Sequence, residues 1–129
     1  MKDNEGALVS IVDDDESIRE ATSRLIKANG FRTESYSSAR EFLESASLTK
    51  IGCLVLDLRM QGMSGLELQR LLVTEKRHVP IVFISAHGDP KARDEAMGLG
   101  AIDFLSKPFS EEALLNAIRH ALFPRKKRP

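Results

Sequence analysis

Four groups of residues are able to do chemistry together. The run Ile11-Val12-Asp13-Asp14-Asp15-Glu16-Ser17 sets three aspartates and a glutamate directly after an apolar stretch. Asp57 follows a second apolar stretch, Ser85 ends a third, and Lys107 stands in the segment Asp103-Phe104-Leu105-Ser106-Lys107-Pro108-Phe109. Carboxylates crowded this closely repel one another, and each costs free energy if it leaves water unpaired. Something must compensate them. A hard divalent cation takes carboxylate, carbonyl and water oxygens, and Mg²⁺ commonly uses one or two carboxylates together with phosphate oxygens. Lysine would add a fixed ammonium and serine a hydroxyl. Acids, an ammonium and a hydroxyl suit phosphoryl transfer, where catalysis is mostly positioning and charge neutralisation.

These residues are far apart in the chain, so the elements around them must bring them together. Short runs rich in branched residues, LVSIV (8–12), CLVL (53–56) and IVFIS (81–85), read as strands covered on both faces. FRTESY (31–36) and IDFLS (102–106) mix polar and apolar residues and read as edge strands. Helical segments fill the gaps. Ile18, Ala21, Leu25 and Ala28 fall at helix spacing before an Asn29-Gly30 stop. Ser38-x-x-Glu41 and Ser64-x-x-Glu67 have capping-box form, and Asp89-Pro90 reads as an N-cap followed by proline at the first helical position. Glu111 and Glu112 after Ser110 favour a helix start, with Leu114, Leu115, Ile118 and Leu122 as its apolar face. Asp15 reads as a cap of the first helix.

Five strand–helix units in strict alternation predict an α/β fold, a parallel sheet with helices on both faces. With the apolar strands central, the order is 2-1-3-4-5, a flavodoxin-like (βα)5 three-layer sandwich. Ligands of such a sheet bind beyond the carboxyl ends of its strands, where strand order reverses, here between strands 1 and 3. Neighbouring strands lie about 4.8 Å apart, so Asp13, Asp14 and Asp57 are expected to share one pocket, with Ser85 and Lys107 at its edge.

Composition bounds the remaining possibilities. A chain of 129 residues with 42% hydrophobic and 29% charged residues is one ordinary globular domain. Nineteen basic and nineteen acidic residues leave no overall field to draw it onto nucleic acid or an anionic membrane. The lone Cys53, inside an apolar run, reads as a buried inert thiol and suits a reducing compartment. The start, MKDNEGALVS, has no apolar h-region, and no run reaches membrane-spanning length, so a cytoplasmic location is expected. His78 and His120 read as surface residues, and no histidine or cysteine set has zinc-ligand spacing.

An acidic pair after strand 1, Asp after strand 3, Ser after strand 4 and Lys-Pro after strand 5 form an ordered set. In this set the chain resembles the receiver domain of two-component response regulators. The segments SAHGD and DFLSKPF resemble the FixJ-type (LuxR/NarL-like) transcriptional regulators most, and the resemblance covers about residues 7–122. It implies that Asp57 is the phosphoacceptor, attacking a phosphohistidine on a sensor histidine kinase. It implies Asp14 as a direct Mg²⁺ (or Mn²⁺) ligand, Asp13 as one acting largely through water, and the Arg59 backbone carbonyl as a further ligand. Lys107 and Ser85 would contact the phosphoryl group, and Lys107-Pro108 would be a cis peptide, which proline permits. Phe104 matches an aromatic switch position and reads equally well as an edge-strand core residue. Phosphorylation would promote homodimerisation through the face of the fourth helix, fifth strand and fifth helix. Residues 1–123 would be the receiver domain and the basic 124–129 a linker or tail. DNA would be met only through an output domain outside this chain.

The sequence also departs from the family pattern. Gln61 stands where the family often has proline, which implies a less stiff loop. Phe104 lacks a phenolic hydroxyl and would switch by packing alone. Arg59 and His87 occupy positions where the family tunes phosphoryl lifetime. A rival reading is a Mg²⁺-dependent phosphohydrolase of the haloacid dehalogenase type, with Asp13 as nucleophile and Asp15 as acid/base. The chain lacks that class's cap domain and has no acidic pair in a loop following a further strand after Lys107. A flavin mononucleotide carrier is disfavoured, because its phosphate loop would meet aspartates where N–H donors are needed.

Overall fold

The three apolar runs are strands, and they are buried from end to end. In the computed structural model, which describes residues 7–86 and 89–123, β1 (Leu8–Val12), β3 (Cys53–Asp57) and β4 (Ile81–Ser85) are buried at every position. They are flanked by β2 (Arg32–Tyr36) and β5 (Asp103–Ser106), giving a parallel sheet of order 2-1-3-4-5. The helices are α1 (Glu16–Ala28), α2 (Ala39–Ser45), α3 (Gly65–Thr74), α4 (Pro90–Gly98) and α5 (Glu111–Leu122). One element had no sequence signal, a single 3-10 turn at Leu48–Lys50.

Alternation along the strands builds two cores. Leu8, Val12, Leu54, Leu56 and Phe83 face Phe42 of α2, Leu68 and Leu72 of α3 and Ala96 of α4. Val9, Ile11, Cys53, Val55, Val82 and Ile84 face Ile26 of α1 and Leu114, Leu115 and Ile118 of α5. Fully burying one large aliphatic side chain is worth about 1.5–3 kcal/mol, so these strands, and not the loops, fix where their tips point. The edge strands differ. In β2 Arg32, Glu34 and Ser35 are exposed, and β5 is only four residues long.

Two expectations on the helices are corrected. On α1 the buried residues are Thr22 and Ile26, with Ile18 and Leu25 half-covered, whereas Ala21 and Ala28 face solvent. The buried stripe is therefore turned from the one expected, because threonine can bury its methyl while alanine carries little directional information. At α2, Ser38 does cap Glu41 N–H, but the Glu41 carboxylate accepts from Ser37 N–H (2.7 Å) instead of completing the box at Ser38. The full capping box forms at α3, between Ser64 and Glu67. Asp89 caps α4 ahead of Pro90, and Ser110 caps α5.

Candidate metal centre

Register brings the distant acids together. In the parallel pairing of β1 with β3, Ile11 lies beside Val55 and Val12 beside Leu56, so the next step sets Asp13 beside Asp57. Side chains alternate along a strand, and both acids therefore fall on the face that carries Ile11 and Val55. Asp14 is one residue on, in the β1–α1 loop. One carboxylate oxygen from each of Asp13, Asp14 and Asp57 lies within 4.8 Å of the other two.

Each acid is held differently. Asp13 is fully buried, and its Oδ1 accepts from Asp15 N–H at 2.9 Å. Its Oδ2 is buried without a hydrogen-bond partner. Lys107 Nζ stands 3.7 Å from this oxygen and 3.7 Å from Asp57 Oδ1, so one ammonium serves both carboxylates. Asp14 is exposed, and its Oδ2 accepts from Gln61 N–H at 3.2 Å. A proline at position 61 has no N–H to give. The departure at Gln61 thus adds a backbone tether on Asp14 across the pocket.

The electrostatics follow from this packing. Burial pushes the Asp57 carboxyl up to about 6, and the neighbouring Asp13 charge adds to the rise. Lys107 and a hydrogen bond from Arg59 N–H act against it. Burial also raises Asp13, against the Asp15 N–H and Lys107. Three hard carboxylate donors, one from a residue with a buried oxygen that has no hydrogen-bond partner, are a set that fits Mg²⁺ or Mn²⁺. Two oxygens on one Mg²⁺ lie at most about 4.2 Å apart, close to the spacing of this trio. The residues present therefore fit such an ion.

The other expected residues sit around this pocket. Ser85 is buried at the tip of β4, and its carbonyl accepts from Lys107 N–H at 2.7 Å. The Lys107-Pro108 peptide is cis. Phe104 is 7% exposed, with its ring centroid 5.9 Å from that of Phe83. Its ring lies inward, within the core. The exposed Arg59 pairs its guanidinium with Asp89, Nη2 to Oδ2 at 3.0 Å. His87 and the tail 124–129 lie outside the described residues. Asp15, the acid/base of the hydrolase reading, is committed to capping α1 through Ile18 N–H at 3.1 Å.

Sequence reasoning missed Gly65. A Cβ at this position would stand 2.3 Å from the Asp57 carbonyl oxygen and 3.1 Å from Leu58 Cα. The returning loop packs against the backbone of the central acid, and only glycine fits. The available signal was a glycine at the first position of a capped helix, where it is otherwise unfavourable.

Comparison with known proteins agrees with this geometry. A family model described as the response regulator receiver domain matches residues 9–119. The chain is 48% identical over 122 residues to response regulator protein TmoT of Ectopseudomonas mendocina, covering 95% of this chain and 55% of that protein. It is 42% identical over 113 residues to transcriptional regulatory protein FixJ of Rhizobium meliloti (strain 1021), covering 88% of this chain and 55% of FixJ. The chain spans about half the length of the curated relatives it matches. Among solved structures, FixJ-N superposes with a TM-score of 0.85 at 39% identity, over 96% of this chain and 99% of that one. Response regulator StyR does so with a TM-score of 0.85 at 50% identity, over 91% of this chain and 59% of that one. By sequence, fold and the arrangement of its acids, this chain belongs to the receiver domain family of two-component response regulators.

Proposed function

We propose that the domain takes a phosphoryl group from a sensor histidine kinase onto Asp57 and passes the change to a dimer interface. The observation that carries this reading is the meeting of three carboxylates within 4.8 Å, one with a buried unpartnered oxygen. An Asp57 oxygen attacks the phosphorus of a phosphohistidine. The P–O bond forms as the P–N bond breaks, and the released imidazole takes up a proton. Asp13, Asp14, Asp57 and the Arg59 carbonyl would hold Mg²⁺ or Mn²⁺, which when bound supplies positive charge against the acids and the incoming phosphoryl oxygens. Lys107, already 3.7 Å from Asp57 Oδ1, neutralises charge on the opposite side. The Ser85 hydroxyl, moved inward, donates to a phosphoryl oxygen. Electrostatic positioning of this kind is the main source of rate in phosphoryl transfer.

The signal leaves through packing. Movement of Ser85 opens space beside Phe104, whose ring tightens against Phe83 and re-sets the face of α4, β5 and α5. Met97, 38% exposed on α4, marks the apolar part of that face. A second copy docks there, and a DNA-binding output domain outside this chain, joined through 124–129, then acts on transcription in the cytoplasm. Among the described residues no helix is long and apolar enough to cross a membrane.

The test is incubation with Mg²⁺ and acetyl phosphate, followed by intact mass and peptide mapping. One added phosphoryl group on Asp57, lost in Asp57→Ala, is expected. Labelling of Asp13 instead would overturn the assignment and restore the hydrolase reading. Sedimentation with the phosphoryl mimic beryllofluoride checks the dimer, and an unchanged monomer counts against that step.

A further inference from the structure

Helix α4 is weakly anchored by apolar contact. Ala96 is its only buried residue, and one alanine contributes little area. Polar tethers hold it instead. Gln69 Nε2 donates to the Ala96 carbonyl at 3.0 Å, and Arg70 forks onto the Glu95 carboxylate, Nη2 to Oε1 at 2.7 Å. Both tethers come from α3. The third is different: Arg59 Nη2 meets Asp89 Oδ2 at 3.0 Å, at the end of α4 nearest the pocket. Asp89 spends its other oxygen capping the helix at Ala92 N–H, at 3.2 Å.

Arg59 follows the proposed phosphoacceptor by two residues, in the loop that leaves β3. Its long, flexible side chain already spans to Asp89 and starts two residues from Asp57. The existing ion pair is open to exchange, with side chains 64% and 31% exposed, and exposed pairs are weak. A phosphoryl dianion offers a guanidinium two parallel charge-assisted bonds. It is the stronger partner.

We propose that Arg59 pairs with Asp89 while Asp57 is a free carboxylate and transfers to the phosphoryl oxygens when Asp57 carries them. The exchange leaves the cap on Ala92 in place but frees the near end of α4 from its lateral tether. It gives the acyl phosphate a direct polar line to α4, separate from the packing route through Phe104. The proposal rests on Asp57 being the phosphoacceptor.

The experiment measures beryllofluoride binding, in the presence of Mg²⁺, to wild type, Asp89→Asn, Arg59→Ala and the double variant. Asparagine caps a helix as well as aspartate, so Asp89→Asn removes the competing charge and leaves α4 its cap. Arg59→Ala keeps the backbone carbonyl. Asp89→Asn is expected to tighten binding about threefold and Arg59→Ala to weaken it about threefold or more, the range of an exposed ion pair. In the Arg59→Ala background the Asp89→Asn effect should vanish. In wild type the Arg59 side-chain N–H resonance should move on saturation with beryllofluoride. Equal affinity of wild type and Asp89→Asn, or the same Asp89→Asn effect in both backgrounds, overturns the exchange alone. Failure of wild type to bind beryllofluoride at Asp57 overturns the phosphoacceptor reading, and the exchange with it.

Discussion

Replacing Asp57 by asparagine is expected to stabilise the metal-free protein at neutral pH, although it removes the group assigned to the chemistry. Asp57 lies buried at the tip of β3, and burial together with the Asp13 charge lifts its carboxyl from 3.8 to about 6. Between those values the folded chain keeps a proton that the unfolded chain has released. Stability therefore falls as pH rises through this window, and above the folded value the whole penalty is present. A rise from 3.8 to about 6 corresponds to about 3 kcal/mol. With an unfolding entropy of about 2.1 cal/mol/K per residue, 129 residues turn this into about 10 °C in Tm. The assay is thermal melting by circular dichroism in EDTA, from about pH 4 to about pH 7, for wild type and Asp57→Asn. Asp13 is raised as well and remains in both proteins, so the quantity to read is the difference between the curves. That difference should widen with pH and level off above about pH 6. Two curves that stay parallel across the window would refute the account of how this pocket is charged.

Three further outcomes are expected. Mg²⁺ at a hundredfold excess over its Kd should raise wild-type stability by about 2.7 kcal/mol, and the gain should shrink sharply in Asp13→Asn, measured by the same melts. Lys107→Met removes the ammonium 3.7 Å from both Asp13 and Asp57, so the pH-dependent loss of stability should move to higher pH; an unmoved profile would show that the ammonium is screened. Gly65→Ala should destabilise by roughly 2–3 kcal/mol, in the range of overpacked sites, because its methyl meets backbone and not a movable side chain; urea titration reads this directly.

The parts legible in the sequence are those set by short-range rules. Strands β1, β3 and β4 are covered on both faces, so their runs are continuously apolar and could be ordered without coordinates. Caps at Ser64, Asp89 and Ser110 act within three residues, and they sit as expected. The meeting of Asp13 with Asp57 followed from strand order and one step of register. What was missed depends on distances the sequence does not encode locally. The buried face of α1 was read through Ala21 and Ala28, residues too small to declare a side. The Arg59–Asp89 pair joins residues thirty apart, and it forms only once α4 is set against the β3–α3 loop. The need for glycine at 65 arises where that loop returns over the Asp57 carbonyl.

The flanks of the sheet bear on the proposed pairing of two copies. A bare strand edge is a template for addition of another chain, and such pairing would need no signal. Along β2 the exposed Arg32, Glu34 and Ser35 carry both signs of charge, and β5 offers a ladder of only four residues. Both margins are poor templates, one through charge and the other through length. Under the proposed function, this keeps strand addition at the margins from standing in for docking that follows phosphorylation.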